Sequence, residues 1–412
     1  MSGSKRILIT GISGFVGPHL AKSYIDEGSE VYGLVRRRAD GDVSRGLRDV
    51  SIDGQVNKIE GSVEDLTSLL TAFDEAQPDI VFHLAAQSFV QRSFINPLEV
   101  VTVNGNGTAN VLEAMRLKGQ NSTRLVFAGS SEEYGFVAIS RKQVAAFESR
   151  HGKLFPPPVS FPEVPITETN PLRPMSPYAA TKVFGEYLTL EYAHSYGLRN
   201  TVSRGFNHEG ARRGSYFVTS ALARQVVSLR MGEADRISVG NVSALRDWTH
   251  VNDMVRGYKL LAESGPAAGV VNLGSERANS VLGYLLLCLE ASGYGVKSLQ
   301  SMSNGKRIDD PVAPETVRKF GKKWDLVKAD RMILEEEIDF ELADKGLKID
   351  TQKGKVTVEF DRKRYRPTDV PILLADTTRA KELGYRIEHK LADVVKEQLN
   401  YFTDKEHRLK AA

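Results

Sequence analysis

"RILITGISGFVG", residues 6–17, decides the fold. A short strand-like run at 6–10 passes straight into Gly11, Gly14 and Gly17, and a helical pattern follows at once. Glycine at such a junction permits the tight turn, lets backbone approach a pyrophosphate and lets the helix pack close to the strand. The helix start adds unpaired N–H groups and a partial positive charge. The glycines, with Ser13, Phe15 and Val16 between them, are therefore candidate contacts for a dinucleotide. The spacing is GxxGxxG rather than GxGxxG.

Outward from this loop the pattern repeats. Apolar runs at 30–35, 56–61, 79–86, 124–131 and 200–206 are rich in Val, Ile and Leu with little polar alternation, as in strands buried on both faces. Helical patterns at 14–27, 63–76, 97–118 and 177–197 separate them. Such alternation predicts an α/β protein with a Rossmann-type, doubly wound parallel sheet. The expected division is a dinucleotide-binding domain over 1–206, with segments near 246–275 returning to it. A smaller C-terminal substrate-binding α/β lobe is expected from 207–245 and 276–412. Residues 136–165 read as an extended surface loop near the site mouth, because four prolines fall within 156–162. Residues 300–365 read as a charged, irregular insert, with the acidic run 335–341 as a solvated face.

Composition excludes several classes. The 412 residues carry a net charge of +3, too small to argue for nucleic acid or an anionic membrane as partner. The one cysteine, Cys288, sits in "YLLLCLE" and reads as a buried small hydrophobe in a reducing compartment. No apolar run reaches membrane-spanning length, and the N-terminus enters a strand without a signal-like segment, so a cytoplasmic protein is expected. His83, His208 and His250 lack ligand spacing, and no metal site is expected.

The end of the second strand bears on the cofactor. An NAD site usually places an acid there for the ribose 2′-hydroxyl. This chain has Arg36, Arg37 and Arg38, with no carboxylate until Asp40. Guanidinium groups suit a 2′-phosphate, which points to NADP, with one of the three arginines expected to be merely solvated.

"SPYAATK" places Tyr178 and Lys182 four residues apart, on one face of a helix. A free tyrosine has a pKa near ~10, and a nearby ammonium favours the phenolate. Tyr178 is then suited to take a hydroxyl proton while hydride leaves the same carbon. Ser130, in "GSSEEYG" at the end of the fifth run, is placed to orient that oxygen.

These stretches, together with "HLAAQS", "FNHEGARRG", "VGNVSALRDW" and "RYRPTDVPILLAD", resemble the extended short-chain dehydrogenase/reductase (epimerase/dehydratase) family, over residues 6 to about 390. Within it the likeness is to nucleotide-sugar-modifying enzymes. The GDP-mannose 4,6-dehydratases come first, then the GDP-4-keto-6-deoxymannose reductases, with 4-epimerases a third possibility. The resemblance implies oxidation at sugar C4, proton removal at C5, loss of water and return of hydride to C6. It places Glu132 at the C5 base and leaves Glu133 as a neighbour facing away, a solvated turn residue. It implies cofactor contacts from Arg36, Arg37, Ser62, Val63, Leu84, Ala85, Ala86, Ser88, Tyr178, Lys182 and His208. Substrate contacts are implied for Ser131, Asn207, Arg213, Val218, Arg246, Arg366 and Asp369. It also implies a nucleotide-diphosphate-sugar partner and a homodimer or homotetramer, the loop 36–45 reaching a neighbouring subunit. The chain departs from the family pattern at Ala221, where a lysine is common, and at Ser62, where an acid facing adenine is expected. The reading outside catalysis is a cofactor-binding regulator, against which the intact Ser130, Tyr178 and Lys182 argue.

Overall fold

The computed structural model describes residues 4–37, 45–340, 343–366 and 368–409. Arg38, Asp40 and most of the expected loop 36–45 lie outside them. Seven parallel strands form the central sheet. In chain order these are β1 (Arg6–Thr10), β2 (Glu30–Val35), β3 (Val56–Glu60), β4 (Ile80–His83), β5 (Arg124–Ala128), β6 (Arg199–Gly205) and the strand Gly269–Leu273. In space β1 lies between β2 and β4. β3 closes one edge and Gly269–Leu273 the other, beside β6. Alternate residues of β1 serve two cores, Ile7 and Ile9 on one face and Leu8 on the other. Helices cover both faces, which is why the strands read as unbroken apolar runs.

Two strands stop earlier than their apolar runs. β4 ends at His83 and β5 at Ala128. Their continuations, Leu84–Ser88 and Gly129–Glu132, turn outward to line a cleft. Local signals set the helices beside it. Asp65 caps the helix Leu66–Ala76 by accepting the amides of Thr67 and Ser68. Ser176 and Pro177 open the helix Pro177–Tyr196, and Gly197 ends it in the left-handed conformation. The expected helix 97–118 contains a π-helical stretch, Val101–Asn106. Its Asn104 accepts the Gln87 amide and donates to the Thr181 hydroxyl, tying a cleft-lining loop to the helix that carries Tyr178.

Residues 300–365 are not irregular. The strands Val296–Ser301, Arg307–Asp309, Gly346–Thr351 and Gly354–Phe360 form a five-stranded sheet with Arg236–Val239. Pro314–Lys319 and Lys322–Val327 make a hairpin. In "GKVTVEF" Val356, Val358 and Phe360 are buried while the residues between them are half-buried. The charges mark the wet face of a one-sided sheet. In the acidic run, Glu335 and Glu337 pair with Arg331, whereas Ile338 and Phe340 are buried.

The excursion 136–165 also differs from the expected surface loop. It contains the helix Arg141–His151, and none of its residues lines the cleft. Phe136, Ala138 and Leu154 form a small core of their own. Arg173 fixes the segment from inside. It pairs with Glu163 at 2.8 Å and donates to the carbonyl of Phe136, while Glu163 accepts the amide of Ala138. The paired side chains are 2% and 3% exposed. Arg173→Met therefore leaves a buried, unpaired carboxylate, with an expected loss of about 3–5 kcal/mol in urea unfolding. A loss below about 1 kcal/mol would show that the bridge does not hold the segment.

Candidate functional site

A cleft of about 740 Å3 opens at the C-terminal ends of β1, β2, β4 and β5 and runs under the second lobe. This is the crevice in which doubly wound sheets bind ligands. Every site residue expected from sequence lines it except Arg37, whose 84%-exposed side chain pairs with Glu60 at 3.8 Å.

One half of the cleft is built by the glycine turn. Gly11 has φ +75°, and a Cβ there would lie 2.6 Å from the Ala85 nitrogen. A Cβ on Gly17 would lie 2.5 Å from the Ile12 Cα, so the helix packs directly on the turn. Ser13, Gly14, Phe15 and Val16 complete the wall. The helix that follows, α1 (Val16–Ile25), has no side-chain cap, so its first amides face the cleft without an internal partner from a capping residue. Arg36 stands at the end of β2, and Ser62, Val63, Leu84, Ala85, Ala86 and Ser88 continue the lining. A cradle that excludes any side chain, an uncapped helix start and a guanidinium beyond it fit a dinucleotide. His208 stacks on Phe15 at 6.4 Å. Burial first, then Arg213, lowers its pKa to about 4, so it is neutral at physiological pH.

The turn that carries Ser130, Glu132 and Glu133 follows β5. Ser130 accepts the Glu132 amide and caps the turn Ser131–Glu133. The Glu132 carboxylate faces the cleft and pairs with Nη1 of Arg366, at 3.0 and 3.3 Å for its two oxygens. Glu133 does not face the cleft, yet it is not solvated. It is 0% exposed, and its carboxyl accepts the Ser130 amide at 2.6 Å. Burial, then the neighbouring Glu186, raises its pKa well above the carboxylate range, and Arg204 at 3.8 Å only partly offsets this. Glu133 is thus a buried acid whose neutral form is favoured.

The Ser130 side chain beside Tyr178 favours the phenolate. Burial outweighs it and pushes the phenol pKa up rather than down. Lys182 does not supply the expected counter-charge at the phenol oxygen. Its ammonium donates to the Ala128 carbonyl at 2.6 Å and stands 6.0 Å from the centre of the Tyr178 ring. Burial lowers the Lys182 pKa to about 8, with Glu133 acting in the other direction.

The far half of the cleft carries Ser131, Asn207, Arg213, Val218, Arg246, Arg366 and Asp369. The Asn207 side-chain oxygen is buried without a hydrogen-bond partner, as at a site awaiting a donor. Arg213 stacks on Phe217 with its guanidinium carbon 3.4 Å from the ring centre and lies 3.6 Å from Glu209. Arg246 lies 3.4 Å from Asp369. Sequence reasoning missed Glu209, Glu64, Phe89 and Arg364, which also line the cleft. Glu64 stands beside Ser62, near where an acid was expected, and Asp65 is committed to its helix cap. The i, i+4 spacing of Glu209 and Arg213 was the one available signal.

Residues 7–274 match the NAD dependent epimerase/dehydratase family. Among curated proteins, the chain is 29% identical over 402 residues to the GDP-mannose 4,6-dehydratase of Yersinia enterocolitica, covering 95% of this chain and 93% of that one. It is 30% identical over 402 residues to the Vibrio cholerae enzyme of the same name, with 96% and 92% covered. The human GDP-mannose 4,6 dehydratase is 29% identical over 401 residues, with 95% and 90% covered. Among solved structures, Thermus thermophilus UDP-glucose 4-epimerase in complex with NAD superposes with TM-score 0.67 at 22% identity, covering 97% and 99%. RMD from Pseudomonas aeruginosa complexed with NADPH gives 0.64 at 21%, with the same coverage. At these identities the two structures show a shared fold.

The depressed Lys182 pKa makes a stability prediction. An unfolded lysine titrates near ~10.4. Between about pH 8 and that value the unfolded state binds the extra proton, so stability rises with pH across this window. Relative to Lys182→Met, the wild type should gain about 3 kcal/mol in urea unfolding from pH 7.5 to 10.5. An unchanged difference between the two proteins would mean that Lys182 is not a desolvated cation.

Proposed function

The chain belongs to the NAD dependent epimerase/dehydratase family, and we propose that within it the protein is an NADP-dependent nucleotide-sugar 4,6-dehydratase acting on GDP-mannose or a closely related GDP-sugar. The observation that carries this reading is the meeting of Ser130, Tyr178 and the Glu132 carboxylate in one cleft with the glycine cradle. Near full-length similarity to GDP-mannose 4,6-dehydratases supports the substrate class. Arg36 at the end of β2, where an NAD site usually has an acid, supports NADP over NAD.

Bound NADP supplies the hydride acceptor at C4 and the hydride donor at C6. The protein's own groups do the rest. Ser130 and Tyr178 hold the C4 oxygen, and Tyr178 takes its proton as the phenolate, a form that the positive charge of a bound oxidised nicotinamide would favour against burial. The new ketone acidifies the C5 hydrogen, and Glu132 removes it. Loss of the C6 hydroxyl as water follows. The sheet lobe holds the cofactor, and the second lobe, through Arg213, Arg246 and Arg366, holds the diphosphate. A reductase would not need the C5 base.

We also propose a homo-oligomer. Ile95, Leu98, Phe184 and Tyr187 are all at least half exposed, and Gly105 brings the π-helical stretch against Phe184. Contiguous apolar surface of this kind marks an interaction face. Among the described residues no helix is long and apolar enough to cross a membrane. A cytoplasmic location remains part of the proposal.

The test is incubation of purified protein with GDP-mannose and catalytic NADP+. A keto-sugar should form without net NADPH, and Tyr178→Phe should cut turnover by about 10²–10⁴-fold while sparing NADP binding. Glu132→Gln should lose water elimination with C4 oxidation partly retained. No keto-sugar, together with NADPH oxidation on a supplied 4-keto sugar, would establish the reductase reading instead.

A further inference from the structure

Each arginine assigned to the diphosphate is already matched with a carboxylate inside the cleft. Arg213 faces Glu209 at 3.6 Å, Arg246 faces Asp369 at 3.4 Å, and Arg366 faces Glu132 at 3.0 Å. The first two acids have other occupations. Glu209 accepts the Thr219 hydroxyl at 2.6 Å, and Asp369 accepts the Asn241 amide at 2.7 Å. Glu132 differs: among the described residues its one ion-pair partner is Arg366. Burial works to lower the Arg366 pKa, but Glu132 and Asp369 outweigh it and raise the net value, as for a guanidinium held by acids.

Two demands therefore meet on one contact. Arg366 is needed by a diphosphate, and Glu132 is needed, unencumbered, at the C5 hydrogen. A carboxylate with both oxygens held on a guanidinium is not free to reach a hydrogen on the sugar. A diphosphate offers the guanidinium a stronger anion with matching geometry. We propose that Arg366 exchanges partners on substrate binding: the diphosphate of the nucleotide sugar draws it off Glu132, so the base is released only when the sugar is in place. This inference rests on the nucleotide-sugar reading above. Its consequence for binding is specific. Glu132 competes with the diphosphate for Arg366, so in the free enzyme it lowers affinity for any nucleoside diphosphate.

The experiment is a double-mutant cycle on GDP affinity, measured by titration calorimetry with the NADP-loaded protein. Glu132→Gln should bind GDP about tenfold tighter than wild type, and Arg366→Gln about tenfold weaker. The double variant should lie close to Arg366→Gln, because the contact that Glu132 contests, its hydrogen bond to Arg366, is gone. Glu132→Ala serves as a second way to remove the charge. Unchanged or weaker binding in both Glu132 variants would overturn the exchange. So would equal tightening with and without Arg366, which would indicate plain charge repulsion. If wild type binds none of GDP, UDP, CDP and dTDP, the exchange falls together with the nucleotide-sugar reading. If GDP binds and the cycle shows no coupling, the exchange alone falls.

Discussion

A carboxyl group buried under the end of β5 holds the turn that follows it in place. Glu133 receives the Ser130 amide at 2.6 Å, and its oxygen fills the space where a side chain on residue 129 would begin, 2.7 Å from that Cβ position. The Ser203 carbonyl lies equally close, at 2.7 Å, so backbone and Glu133 together leave room only for glycine at 129. Behind Glu133, Arg204 is committed to Glu186 and to the Tyr134 hydroxyl, so the cluster stays closely balanced in charge only if one of the two acids carries a proton. The Ser130 hydroxyl and the Glu132 carboxylate then project from a turn whose backbone has little freedom. Pre-organisation of this kind separates a reactive site from a polar surface.

The sheet was legible in the sequence because strands buried on both faces leave an unmistakable apolar pattern, and the glycine turn because it permits so few alternatives. Arg36, Ser130, Tyr178 and Lys182 were legible as residue types at telling positions. What stayed hidden was hidden for physical reasons. In residues 300–365, period-two alternation lay beneath abundant charge, and charge was read as irregularity. In 136–165 the prolines correctly excluded regular structure over 156–162, but the buried Arg173–Glu163 bridge depends on residues brought together only by folding. Glu133 looked solvated because a glutamate usually is. Its burial depends on Arg204 and Glu186, which lie far along the chain. The place of the Lys182 ammonium was hidden for a similar cause: spacing showed a lysine on the same helix face as Tyr178, but not that its ammonium reaches for a carbonyl.

The cleft combines two electrostatic regimes. Around Tyr178 and Lys182 burial dominates, raising the phenol pKa and lowering that of the ammonium, so both groups sit nearer neutrality than they would in water. Toward the second lobe, arginines and acids are interleaved, and charge is stored as pairs rather than left free. A dianionic ligand entering there must rearrange partners, whereas a ligand entering the glycine cradle meets uncapped amides that need no rearrangement.

The central claim is that one cleft oxidises C4, deprotonates C5 and returns the same hydride to C6. It is tested most directly by following GDP-mannose labelled with deuterium at C4, in ordinary water with catalytic NADP+, by NMR of the product. The account predicts a 4-keto-6-deoxy sugar with the deuterium at C6 and a solvent-derived proton at C5. A product with the label still at C4, or label released to the free nicotinamide pool, would contradict it.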